Sequence, residues 1–512
     1  MRNNQRRTGN APYRRFQALT GCAMAALLAG TAGCASVSAN KSLTGLSMPV
    51  SWSSANLTGA TSSDAGLPLN WVETFNDPML VTLVAEAMNH NNDLGAAATR
   101  VEAARQQAVI ARSGLLPTIG ISITGSERDA TFTSPGGSSY GLGGEINWEA
   151  DLWGRLTDST RSSYKSADAV QADFDAARLS IAGAVTRTWY QLVEARLQRE
   201  LSERDVDSGK ANLNITERRY QRGVSSSLDV RLARSSLASS QASLISRQQA
   251  QQEIARGLEV LLGRYPSNEL EAIDKIPTIA PLLSDTGAVI GLGQPADILT
   301  RRPDLIASAK RLEASGLAAR EAQKALLPRL TLRQSGDVTS GNFNDIFDLD
   351  DMVNSLVGSL VQPIFQGGRL RASSKAQAAT AEGAVHTYVG DVLAAYRDVE
   401  NAISAEDLLD ARVQALRLAF EEAVASEKLT EKQYLSGTRT IFNLIDAQQR
   451  RIRSESAYIS AQRDQLTNRA DLFLALGGTF DVGPEKIAMQ ASGGKTLDEG
   501  KRASLFKRWL RQ

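Results

Sequence analysis

His90 and His386 are the only histidines in this 512-residue chain, and they lie far apart in it. Its two cysteines, Cys22 and Cys34, sit near the N-terminus, where they can build neither a disulfide framework nor a CxxC metal site. GxxxxGK[ST] and HExxH are absent, and Gly291-Leu292-Gly293 reads as a loop rather than a nucleotide fingerprint. The carboxylates are spread along helical text like solvated faces. An enzyme, a resident cofactor and a metal site are therefore not expected. Lys and Arg (57) nearly balance Asp and Glu (56), so no net field favours nucleic acid as a partner. What remains is the Cys34 thiol and a set of polar residues beside two glycine turns. Gly223, Val224, Ser225 and Asp229 flank the first turn; Tyr434, Gly437, Thr438, Arg439, Asn443 and Asp446 flank the second. Hydrogen bonds and ion pairs are the chemistry open to them.

The N-terminus explains the thiol. Arg2, Arg6, Arg7, Arg14 and Arg15 precede an apolar run from Ala18 to Ala32 that is too short to span a bilayer and reads as a secretory leader. Thr31-Ala32-Gly33-Cys34 resembles a bacterial lipoprotein cleavage box, departing from it at Thr31, where an aliphatic residue is usual. An ordinary leader with an incidental cysteine is the alternative. On the lipoprotein reading residues 1–33 are removed with Cys22, Cys34 becomes a lipidated first residue, and Ala35 implies passage to the outer membrane. No later stretch is apolar for 18 residues, so any protein-borne membrane crossing requires β-strands.

The elements that position these residues come in duplicate. DLGAAATRVEAARQQAVIARSGLLP at 93–117 returns as DLIASAKRLEASGLAAREAQKALLP at 304–328, an offset of 211. Further on the offset is 214: Gly154-Arg155-Leu156 answers Gly368-Arg369-Leu370, and Tyr220 and Gly223 answer Tyr434 and Gly437. Two copies of one unit follow, 71–290 and 291–480, after a tether at 34–70 and before a disordered tail at 481–512. In each copy a helix (93–116; 304–327) stops at Leu-Pro. Two β-like segments follow, at 118–126 and 139–150 in the first copy and at 329–336 and 353–364 in the second, separated by polar loops at 128–138 and 337–351. Long proline-free helical hairpins then span 151–263 and 367–477. Their heptad positions, Val230, Leu237, Leu244, Gln251, Leu258 and Leu444, Arg451, Tyr458, Gln465, Leu472, mix apolar with polar types, so one side of the coil should see water.

Two strands per copy make four per chain. Four leave open edges, and membrane barrels begin at about eight strands. A trimer supplies twelve strands and a ring of long helices. The expected fold is mainly α with a membrane β-barrel: a twelve-stranded trimeric barrel continuous with a periplasmic α-helical barrel.

With WVETFNDPMLVTLVAEAMNHNNDL at 71–94, ADILTRRPDL at 296–305 and YLSGTRTIFNLIDAQ at 434–448, the chain resembles the TolC/OprM-type outer membrane factors, in the NodT-like efflux lipoprotein branch. The resemblance implies a homotrimeric efflux duct. Its helix tips, Gly223, Val224, Ser225, Gly437, Thr438 and Arg439, would dock on a periplasmic membrane-fusion adaptor that joins it to an inner-membrane pump. It also implies a gate. There Asp229 would pair with Tyr434 or a neighbouring helix, and Arg439 would bond across the turn near Leu228. Asn443 and Asp446 match a constriction that often carries two acids, so the missing acid at 443 should weaken cation selectivity. Two alternatives stay open: the exit of a type I protein secretion system, and a lipid-anchored structural coiled coil.

Overall fold

The structure, a computed structural model, describes residues 51–54, 70–129, 136–277, 283–284, 287–288, 292 and 294–478. The leader, Cys34, most of the tether and the 481–512 tail lie outside the described residues.

Asp77 opens the helical text. Its carboxylate accepts the Met79 and Leu80 N–H groups at 3.0 and 3.2 Å, and Pro78 takes the first helical position, where no donor is needed. The first copy runs α1 (Pro78–His90), α2 (Asn92–Ser113), β1 (Thr118–Arg128), β2 (Gly137–Ala150), α3 (Arg155–Gln221) and α4 (Ser227–Leu261). The second runs α5 (Pro303–Lys324), β3 (Arg329–Ser340), β4 (Val353–Val361), α6 (Arg369–Leu435) and α7 (Ile441–Ala475). Matching helices agree to the residue: 22 in α2 and α5, 67 in α3 and α6, 35 in α4 and α7. At 1.5 Å per residue α3 and α6 are each about 100 Å long. Among the described residues no helix is long and apolar enough to cross a membrane.

Several boundaries differ from the sequence expectation. α2 ends at Ser113 rather than 116, because Leu115 and Leu116 donate to the carbonyls of Arg112 and Ser113 in tight final turns at 3.0 Å each. β3 runs to Ser340, into the expected 337–351 loop, because Asp337 to Ser340 pair with Gly143 to Tyr140 of β2. Short helical turns at Phe343–Phe347 and Leu349–Asp351 fill the rest of that loop. β4 stops at Val361, two residues before Pro363, which has no N–H to give a ladder.

The tether is not wholly free either. Trp52 is 2% exposed, its ring edge-on to Tyr396 of α6 at 5.9 Å. The Ser53 and Ser54 N–H groups each donate to the Glu400 carboxylate at 2.8 Å, and this lowers its pKa against the opposing effect of burial. An aromatic anchor and a capping carboxylate thus pin this part of the segment to a helix.

Each copy also closes on its own start. Gly263 follows α4 and Gly477 follows α7, both at positive φ (+75° and +72°). A Cβ on Gly263 would meet the His90 carbonyl oxygen at 2.3 Å, and one on Gly477 the Arg301 and Arg302 backbone at 2.9 Å. The residue beside each approach then caps the helix end. Asn91 Nδ2 donates to the Leu261 carbonyl at 2.8 Å, and its repeat partner Arg302 donates to that of Ala475 at 3.1 Å. Arg302 also forks onto Asp304, so the RRPD text is a structural staple. Beside it lies the aromatic core, with Trp71 stacked on Phe473 at 5.7 Å and Phe75 against Tyr190 at 5.7 Å. Gly477→Ala should cost more than the about 1–2 kcal/mol of left-handed strain alone. Gly223→Ala, with positive φ but open space around it, should cost only that strain. Chemical-denaturation midpoints of the two variants test the difference; equal losses would remove the close approach as a cause.

Candidate membrane face and helix tips

The four long strands form one antiparallel sheet in the order β1-β2-β3-β4. Its register decides which side chains share a face, since directly opposed residues point the same way. Ile119 faces Ile146, Ile123 faces Leu142, Leu142 faces Val338, Trp148 faces Leu332, and Leu330 faces Leu360. These side chains, with Ile121 and Leu356, make an apolar surface across all four strands. Ile121 is 81% exposed on it. The opposite face carries Ser122, Thr124, Glu145, Asn147, Arg333 and Asp337, with Arg333 bonded to Glu145 at 2.6 Å. Only β4 adds valines there. The outer edges of β1 and β4 have no strand partner among the described residues.

Aromatic rings stand at both ends of this sheet, a signal that reading strands one at a time missed. At the loop end Tyr140, Phe343 and Phe347 make edge contacts at 5.6 and 5.7 Å. At the helix end Trp148 and Trp153 donate their indole N–H to the Leu115 and Pro328 carbonyls at 3.0 and 2.7 Å. Tyr140 and Trp148 are separated by about 27 Å of strand. A lipid-facing band about 25 Å tall flanked by aromatic girdles has these dimensions.

The far ends of the hairpins are built twice. Gly223 and Gly437 terminate α3 and α6 at φ +73° and +81°; Val224 and Thr438 N–H reach back to the Arg219 and Gln433 carbonyls at 2.9 Å. Ser226 then caps α4 and Thr440 caps α7, each in a reciprocal box with the residue three on, Asp229 and Asn443.

This geometry corrects the expected gate within the chain. The Asp229 carboxylate turns onto its own helix start, accepting the Ser226 N–H and the Ser225 and Ser226 hydroxyls at 2.9 Å each, rather than reaching Tyr434. Those bonds, the Ser226 backbone N–H foremost, hold its pKa below the usual carboxylate range. The cap is therefore present above about pH 3.9, the unfolded value, and is lost as pH falls through the lower folded one. Arg439 bonds Gln433 at 3.3 Å, not the turn near Leu228. Asn443 Oδ1 accepts from the Thr440 N–H and hydroxyl, doing the work that Asp229 does in copy one. Asp446 is paired with Arg450 at 2.9 Å. Tyr434 is the joint between the copies. It is 3% exposed, its hydroxyl lies 2.9 Å from Thr216 Oγ1, Arg219 sits 5.1 Å over its ring, and Ile441 and Leu444 pack beside it.

The model of the outer membrane efflux protein family matches residues 83–264 and 295–478. The pyoverdine export outer membrane protein OpmQ of Pseudomonas putida is 30% identical over 450 residues, 86% of this chain and 93% of that one. The toluene efflux pump outer membrane protein TtgF of the same species is 28% identical over 421 residues, 81% and 86% of the two chains. Among solved structures the outer-membrane channel OprN superposes with a TM-score of 0.75 at 25% identity, covering 85% of this chain and 97% of its own. The Campylobacter jejuni CmeC channel, at 22% identity and TM-score 0.79, shares the fold over 88% and 97%. The chain belongs to the outer membrane efflux protein family, whose members are channels of the outer membrane rather than enzymes.

Proposed function

We propose that this protein is the outer-membrane exit duct of a tripartite efflux pump, a homotrimer with a twelve-stranded barrel continuous with a periplasmic helical barrel. The observation that carries it is the four-stranded sheet, apolar and largely exposed on one face, girdled by aromatics and open at both edges, leading into helices of 67 residues. Three such sheets close a barrel whose polar face, with Glu145 and Arg333, lines the lumen. Acylation of Cys34 anchors the same chain in the same membrane. The relatives named for pyoverdine export and toluene efflux support small-molecule cargo carried outward.

The hairpin tips are the docking surface for a periplasmic adaptor, and through it the inner-membrane pump. Beside Gly223, Ser225, Gly437, Thr438 and Arg439 they present exposed apolar side chains: Val224, Leu228, Leu435 and Phe442. The last three are docking candidates that the sequence reading passed over. At the constriction Asp446 does not stand as a bare acid, because each chain brings Arg450 as its own counter-ion.

Two measurements test this reading. Ile121→Arg on the lipid face should cost about 2–4 kcal/mol and deplete the protein from outer membranes, while Ser122→Arg on the lumen face is tolerated. Equal tolerance of both would sink the barrel. In planar bilayers, Arg450→Ala should unmask Asp446 and raise cation selectivity above that of the native channel, and Asp446→Asn, which leaves Arg450 unpaired, should lower it. An unchanged selectivity in Arg450→Ala would remove that side chain from the conduction path.

A further inference from the structure

The apolar face of the sheet carries a hollow. Ile121, Gly144, Gly336 and Asn354 lie directly opposite one another across the four strands, so two side chains are missing from the middle of this row. A Cβ added at Gly144 would meet nothing within 4 Å. The row nearer the loops holds Ile123, Leu142 and Val338, and the row nearer the helices Ile119, Ile146, Gln334 and Leu356. Ile121, Leu142, Ile146 and Val338 wall a cavity of about 390 Å³ around the two glycines, and Leu349 and Met352 overhang it. From Val338 to Gln334 it follows β3 for about 14 Å.

The overhang comes from the β3–β4 loop, which folds onto this face and not onto the polar one. Phe343 meets Tyr140 edge-on, Val338 is 2% exposed and Ile346 is fully buried. A Cβ on Gly336 would meet Met352 Sδ at 2.9 Å, whereas Cβ atoms on Gly141 and Gly143, of the opposite face, would meet only neighbouring strands. Folded in this way, the loop exposes Phe343, Phe347 and Leu349 beside Asp345, Asp348, Asp350 and Asp351. An element that is apolar and acidic at once belongs at the boundary between hydrocarbon and water. The hollow beneath it lies within one leaflet, half of a hydrocarbon core about 30 Å thick.

Two amides line the same cavity. Gln334 and Asn354 are diagonal neighbours on the apolar face, both exposed, and neither side chain has a hydrogen-bond partner among the described residues. In hydrocarbon an unpaired amide is costly, because no water can satisfy it. A plain methylene chain would fill the hollow and leave both amides unpaired. The esters of a glycerophospholipid offer acceptors only. A hydroxylated chain joined by an amide to an amino sugar offers both a donor and an acceptor. We propose that the hollow seats one acyl chain of such a glycolipid, with its hydroxyl or linkage amide bonded to Gln334 and Asn354. The inference rests on the barrel reading, which puts the loop end of the sheet in the outer leaflet, and names a lipid that the barrel holds there.

The test is native mass spectrometry of the full chain in detergent, stripped of lipid and titrated separately with lipid A and with phosphatidylethanolamine. Lipid A should bind at up to one copy per chain and about tenfold more tightly than phosphatidylethanolamine, the worth of one or two newly paired amides. Gly144→Leu fills the hollow without a clash and should weaken lipid A by about tenfold or more. The double variant Gln334→Leu with Asn354→Leu keeps the hollow but should bring the two lipids to equal affinity. A trimer that holds lipid A no more tightly than phosphatidylethanolamine, or whose lipid A binding Gly144→Leu leaves unchanged, overturns the proposal and leaves the barrel standing. A chain that is monomeric by native mass and missing from outer membranes fails as a barrel, and the lipid site fails with it.

Discussion

An N–H or C=O group in hydrocarbon has no water to bond, so a strand edge in a bilayer must be paired. That requirement organises this chain. β1 and β4 each present an unpaired ladder beside exposed isoleucine, valine and leucine side chains, and nothing else among the described residues can satisfy them. In the proposed trimer closure comes from the sheets of neighbouring chains. The duplication supplies the means, because whatever β2 offers β3 within the chain, β4 can offer β1 of a neighbour in the same geometry.

Below the sheet the governing interaction changes from backbone pairing to side-chain polarity. Along the α3–α7 junction the contacts are Asn212–Gln448 at 2.7 Å, Arg204–Glu455 at 2.5 Å, Gln198–Ser456 at 2.8 Å, Glu194–Ser460 at 2.6 Å and Arg187–Asp471 at 2.7 Å. Such pairs fix axial register between helices about 100 Å long. A stripe of leucines would bury more surface but distinguish one register from the next poorly, as polar seam residues do in coiled coils. Arg451, at a heptad position where copy one has Leu237, belongs to this pattern: Glu427 and Glu455 hold it in the joint. Nearer the sheet Arg469 and Glu406 form a buried pair, and breaking either partner would leave an uncompensated charge.

The repeat carried most of the fold in plain text. Offsets of 211 and 214 reappear as helices of equal length and as glycines at positive φ, Gly154 with Gly368 and Gly263 with Gly477. Strand ends were legible only to a few residues, because β3 is extended by its pairing with β2 rather than by its own alternation. The Trp52 anchor was not legible: a single aromatic in Ser-rich text carries no periodicity, and its partners Tyr396 and Glu400 lie far along the chain. The gate pairings are not made within the chain. Asp229, Asn443 and Arg439 were placed at the tips by spacing, but each side chain chose an acceptor or donor within a few residues of itself, at less entropic cost than one across a joint.

The tips show what duplication leaves free to vary. Both turns need a left-handed glycine and a reciprocal cap, and both have them; Asp229 and Asn443 serve that requirement equally, since each offers an oxygen to the N–H and hydroxyl of its cap. Charge is not part of the requirement, so it can differ between copies without disturbing the helix start. The same holds one turn earlier, where Arg219 lies over Tyr434 and its repeat counterpart Gln433 bonds Arg439 instead. A guanidinium over a tyrosine ring adds about 0.5–1 kcal/mol at an exposed site. Within the chain that contact ties α3 to the start of the second turn, where Tyr434 also meets Thr216.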